Sequence, residues 1–128
     1  MNAGLATSLS GLNAAGTKLN VAANNIANAQ STKESKNGVE ADKVFVPSKV
    51  ENVSLGGSGG VKSLVNPVEP ASFLVSQNSQ TGELEKLPDV DLGEQTVDTI
   101  LAKNAYKANL VTLEAQNETI KQTLDIIS

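Results

Sequence analysis

Leu5-Ala6-Thr7-Ser8-Leu9-Ser10-Gly11-Leu12-Asn13-Ala14-Ala15-Gly16-Thr17-Lys18-Leu19-Asn20-Val21-Ala22-Ala23-Asn24-Asn25-Ile26 is the stretch on which the fold turns. Leu5, Leu9, Leu12, Gly16, Leu19, Ala23 and Ile26 alternate at spacings of four and three, which sets one narrow stripe along a helix. Small residues interrupt the stripe, so a partner backbone can approach closely. Gly11 and Gly16 each cost roughly 1 kcal/mol of helix propensity against alanine. A helix of this kind is marginal alone in water and orders against a partner.

The other end of the chain supplies a matching pattern. Tyr106, Leu110, Leu113, Asn117, Ile120, Leu124 and Ile127 repeat the same alternation. Asp91 followed by Glu94 is a helix-start signature, which predicts a C-terminal helix beginning near Leu92 and running about 50 Å at 1.5 Å per residue. Val97, Ile100, Leu101, Ala105, Ala108, Val111 and Ala115 form a further apolar face outside that stripe. A helix that is apolar on two sides has more than one neighbour. Asn117 falls on a core position of the stripe, where a polar residue fixes register or partner number; an edge position is the alternative.

Between the two ends, from about Ser31 to Val90, Val, Gly, Pro and Ser replace the helical periodicity. Candidate strands are Val44–Val46, Val50–Leu55, Val61–Val65 and Phe73–Ser76, punctuated by Pro47, the Gly56–Gly60 loop, Pro67 and Pro70. Lys33–Asp42 is charged and turn-rich and is expected to be a mobile connector. The expected fold class is mainly α, with long terminal helices forming an antiparallel coiled-coil stem and a small β-rich or irregular central insert. Its segments are 1–32, an N-terminal axial helix; 33–90, the insert; and 91–128, a C-terminal axial helix, all one structural unit.

Composition narrows the function. At 128 residues the chain has room for one modest core. Phe45, Phe73 and Tyr106 are its only aromatic residues, which speaks against a drug-sized ligand pocket and for extended helical contacts completed by neighbours. Cysteine and histidine are both absent. That removes thiol chemistry, the commonest general base and the commonest transition-metal ligand. A net charge of −4 and scattered lysines give no footprint for nucleic acid. The apolar runs are too short for a membrane span, and Met1–Ile26 lacks the charged start and apolar run of a cleavable signal.

Two local patterns invite chemistry and are better explained without it. Gly56-Gly57-Ser58-Gly59-Gly60-Val61-Lys62-Ser63 resembles a phosphate loop, but Val61 separates the lysine from the last glycine and the sequel is extended, so a hairpin tip is expected. Asp89, Asp91, Glu94 and Asp98 lack the ligand spacing of a calcium loop and suit a helix start, where carboxylates cap free amides. No catalytic, cofactor-binding or metal-ligating residue is therefore assigned, and no cofactor is expected. Asn20, Asn24, Asn25 and Asn28 crowd the end of the first helix, where their amides can bond backbone and one another.

Leu19-Asn20-Val21-Ala22-Ala23-Asn24-Asn25-Ile26-Ala27-Asn28-Ala29-Gln30-Ser31-Thr32 resembles the N-terminal signature of flagellar basal-body rod, hook and junction proteins. At the other end, Leu87-Pro88-Asp89-Val90-Asp91, Glu94 and Ala105-Tyr106-Lys107-Ala108-Asn109 resemble that family's C-terminal signature. The Pro-x-Val-Asp start and the short length are most similar to its FlgC-type proximal-rod members. Two family features are missing: Ser76–Gln80 stands where a Pro-rich turn is usual, and Glu83 and Leu84 stand where an aromatic usually follows the glycine.

The resemblance implies a non-enzymatic subunit, exported unfolded through the flagellar type III apparatus without a cleaved signal. It implies assembly with itself and other rod subunits into a helical periplasmic rod that transmits torque and encloses the export channel. No nucleic acid and no direct membrane insertion are expected. The expected assembly residues are Leu5, Leu9, Leu12, Leu19, Asn24, Asn25, Ile26 and Asn28 on the first helix. On the second they are Val97, Leu101, Tyr106, Asn109, Leu110, Leu113, Asn117, Ile120, Leu124 and Ile127. Within the chain, Leu5, Leu9, Leu12, Leu19 and Ile26 are expected to pack against Leu110, Leu113, Ile120, Leu124 and Ile127. The competing reading is a non-polymerising coiled-coil adaptor or export regulator of the same system, and a carboxylate hydrolase has no acid–base pair to stand on.

Overall fold

Alanine-rich, glycine-spaced residues Asn2–Asn28 form helix α1 in the computed structural model, which describes residues 2–31, 44–77, 79–80, 82 and 84–127. Two hairpins follow, and helix α2 then closes the chain over Leu92–Ile127. The start expected at Leu92 has its reason in the cap: Asp91 Oδ1 accepts the Glu94 N–H at 3.0 Å. Glu94 also brings negative charge to the positive end of the helix dipole. The expected connector at Lys33–Asp42 lies outside the described residues.

The first hairpin pairs β1 (Ser48–Ser54) with β2 (Val61–Pro67) antiparallel, Val50 opposite Val65 and Ser54 opposite Val61. Its tip is the glycine loop. Gly59 N–H bonds back to the Gly56 carbonyl at 2.9 Å, and Gly59 and Gly60 take positive φ of 68° and 95°. Only a residue without Cβ adopts both without strain. The tip docks on α1, where Ser10 Oγ accepts the Val61 N–H at 3.1 Å and donates to the Thr7 carbonyl at 2.7 Å. The base docks at Asn25, so the seven-residue strand, about 24 Å long, matches the helix between Ser10 and Asn25, about 23 Å.

The second hairpin, β3 (Phe73–Gln77) with β4 (Leu84–Pro88), pairs Phe73 with Pro88 and Gln77 with Leu84. Every residue of β3 is exposed. Among the described residues its packing is chiefly onto its own partner strand. Two expectations need correction here. Val44–Val46 is not a strand, because the chain reaches buried Pro47 before any partner strand lies beside it. Leu84–Pro88 is a strand that its mixed charges and terminal proline hid.

The core is thin and small-sided. Among the described residues the buried apolar side chains are Leu12, Ala14, Ala15, Ala22 and Ala102, with Pro47 and Pro88 beside the hairpins. Ala14 faces the first hairpin together with Leu55 and Val61, whereas Ala15 and Ala102 line the junction of α1, α2 and that hairpin.

Candidate assembly interface

The two helices meet through a repeat that is not aliphatic. Gly4 lies against Gln116 and Gly11 against Asn109, close enough that an added Cβ would stand 2.9 Å from Gln116 Nε2 and 2.5 Å from Asn109 Oδ1. Lys18 Nζ bridges to Asp98 Oδ1 at 2.8 Å, and Asn25 bonds Gln95. Gly4, Gly11, Lys18 and Asn25 are seven residues apart, as are Gln95, Ala102, Asn109 and Gln116. From Gly4 to Gly11 a step of seven along α1 meets a step of seven backward along α2, from Gln116 to Asn109, whereas Lys18 reaches past Ala102 to Asp98. Ser8, Ala15 and Ala22, all buried, fill the intermediate positions of the α1 face.

Asn25 is the node of the fold. Only 1 % exposed, its Nδ2 donates to the Ser48 carbonyl at 2.7 Å and to Gln95 Oε1 at 2.9 Å, while its Oδ1 accepts the Ser48 N–H at 3.0 Å. One carboxamide thus satisfies both backbone groups of the first residue of β1 and ties them to α2. No apolar residue can do this, since each buried polar group needs a partner of matching sense. Asn28 behaves differently: its Nδ2 donates to the Asn24 carbonyl at 2.9 Å and to Asn24 Oδ1 at 2.6 Å, closing the helix end on itself.

The leucine stripe sits about one residue, or 100°, round α1 from the line that meets α2. The expected packing of Leu9, Leu19 and Ile26 onto α2 is therefore corrected: they are 54, 37 and 41 % exposed. Leu12 is buried and Leu5 half-buried on the flank of the contact. On α2, Leu113, Asn109 and Ile120 are half-buried, whereas Asn117, Val97, Leu101, Tyr106, Leu110 and Leu124 are exposed. The Ile127 side chain lies outside what is described. The physical reason is proximity. Glycine and alanine let the helix axes close up, and carboxamides of Asn and Gln reach across to fill the gap, leaving the bulkier leucines to the side.

Asp89, Asp91, Glu94 and Asp98 border a groove that Lys18 and Lys49 also enter. Asp91 caps α2 and Asp98 is paired with Lys18. Among the described residues no three acidic side chains are grouped to hold a metal ion, and no helix is long and apolar enough to cross a membrane.

Residues 5–33 match the family model described as flagella basal body rod protein. The match takes in 29 of the 128 residues and makes this end of the chain similar to flagellar basal-body rod proteins. The rod-family match covers the whole contact face of α1 from Ser8 to Asn25 together with its exposed leucine stripe. A rod-type structural role in the flagellar basal body is what this match supports. No curated protein matches the chain closely enough to stand as a relative.

Reading the sequence for leucines missed Gly4, Gly11, Gln95, Gln116 and Ser48. The signal was present as two seven-residue spacings, but of glycine and carboxamide residues, which a search for apolar periodicity passes over.

Proposed function

We propose that the chain is a non-enzymatic subunit of the proximal flagellar rod, polymerising helically to transmit torque and enclose the export channel. The observation that carries this reading is the coincidence of the rod-family segment with a helix whose inner face is occupied by α2 while its leucines face outward. The paired helices act as an antiparallel coiled-coil stem, and their outward rows meet other rod subunits. Leu9, Leu19 and Ile26 on α1 and Val97, Leu101, Leu110 and Leu124 on α2 are the contact residues of this reading. Such exposed apolar rows on a chain with so few buried side chains mark surfaces that neighbours cover. The subunit reaches the periplasm through the flagellar type III apparatus without a cleaved signal.

Cryo-electron microscopy of basal bodies from the native cell, with mass spectrometry of the same preparation, tests the reading. Several helically arranged copies within the rod are expected. Absence from basal bodies, with the chain instead in a defined cytoplasmic complex, would transfer the function to an export regulator or adaptor.

A further inference from the structure

The first hairpin grips α1 through its backbone at both ends. At the tip, Gly59 and Gly60 lie directly on the helix, where an added Cβ would stand 3.0 Å from Thr7 Oγ1 and 2.6 Å from Ser10 Oγ. The Val61 N–H donates to Ser10 Oγ beside them. At the base, both backbone groups of Ser48 bond the Asn25 carboxamide. Between the two anchors Ala14 is buried next to Leu55 and Val61.

This grip depends on the shape of α1. A helix brings Ser10 and Asn25 to the spacing of the strand ends, about 23 Å. The same segment extended would span about 50 Å, so it could not lie along the hairpin with both anchors made. The helix needs such support, because Gly11 and Gly16 lower its intrinsic propensity. Letting go would strand the backbone groups of Val61 and Ser48 that the anchors satisfy, which is costly wherever water cannot replace the lost partner.

Helix α2 is held in a different way. Ala102 is its one buried side chain among the described residues. Asn109 stands against Gly11 but donates its amide to the Ala105 carbonyl of its own helix. Gln116 Oε1 is enclosed without a hydrogen-bond partner among the described residues, a cost that seating α2 creates and opening relieves. Lys18 and Asp98 are partly exposed and screened. The Asn25–Gln95 bond lies near the start of α2, where a hinge would be.

We infer that the β1–β2 hairpin is a clamp that keeps α1 helical by itself, so that α1 and the hairpin form one cooperative unit from which α2 opens. The seam residues Gly11, Ala15 and Ala22 therefore stay in register whether or not α2 is seated on them. The clamp goes beyond the rod-subunit reading and does not depend on it, since an adaptor would need the same unit to present α1.

Native-state hydrogen exchange of the full-length chain at rising denaturant tests the clamp, because amides that open together share one free energy and one denaturant dependence. The α1 amides of Ala14–Ala23 are expected to open with those of the β1–β2 ladder, and the α2 amides of Ala105–Ala115 to exchange at least tenfold faster than either. Gly60→Ala, a change confined to the hairpin tip, should lower protection of the ladder and of Ala14–Ala23 by the same factor, about tenfold, and leave α2 as it was. Exchange of α1 and α2 as one group in the natural chain would overturn the clamp, as would α1 protection that stays at its natural level in Gly60→Ala. Neither result bears on the rod role, which the composition of basal bodies judges separately.

Discussion

Gly11 and Asn109 are in such close register that a methyl group on Gly11 would lie 2.5 Å from Asn109 Oδ1. The carboxamide cannot simply swing away, because its Nδ2 donates to the Ala105 carbonyl at 2.8 Å. Gly11→Ala should therefore destabilise the chain by about 1–3 kcal/mol through overpacking, despite the better helix propensity of alanine. Combining it with Asn109→Ala should recover most of the loss. Urea unfolding of the two single variants and the double variant measures this, and additive losses would show that the two residues do not share the contact.

Removal of the Asn25 carboxamide strands the Ser48 N–H and carbonyl and the Gln95 side chain in a site with almost no solvent access. Asn25→Ala is expected to cost about 2–4 kcal/mol, because lost bonds and unsatisfied buried groups add. Asn25→Asp should do no better, since it keeps one acceptor, loses both donors and buries a charge. Hydrogen exchange at the Ser48 amide reads the effect locally: its protection should fall in both variants before that of mid-helix α1 amides does.

Lys18 and Asp98 make a short ion pair, but their side chains remain 30 and 31 % exposed. Solvent screening limits such a pair to about 1 kcal/mol or less. Lys18→Met should accordingly shift stability far less than Asn25→Ala, and a double-mutant cycle with Asp98→Ala should give a coupling that shrinks in high salt.

Asp91 holds the first turn of α2 through the Glu94 amide. Asp91→Ala is expected to lower stability by about 1 kcal/mol, and Asp91→Asn or Asp91→Ser to recover most of it. Circular dichroism melts of the three variants would show the order.

Leu9→Asp and Leu19→Asp change side chains that the folded chain leaves 54 and 37 % exposed. Their unfolding free energies should stay within about 0.5 kcal/mol of the natural chain. Incorporation into basal bodies should be lost. Normal incorporation of both variants would remove the leucine stripe from the assembly surface. Leu12 is unsuitable for the same test, because it is buried and a charge there would unfold the stem.

Much of this architecture was legible in the residues before any coordinates. The 4-3 alternation at both ends required two long helices, since no other structure puts those positions on one line. Asp91 and Glu94 fixed where the second begins, and the Gly56–Gly60 run demanded a hairpin tip because consecutive glycines supply positive φ. The absence of Cys and His narrowed the chemistry, and the asparagine-rich end of α1 pointed to the rod family. Tertiary structure alone decided which side of each helix faces inward. The seam follows glycine and carboxamide residues rather than the leucines, because closeness of approach depends on the shape of both surfaces together and is not a property of either helix pattern. Tertiary structure likewise made Asn25 different from Asn24 and Asn28. All three carry the same amide, but only one meets Ser48 and Gln95, residues 23 and 70 positions away in the chain.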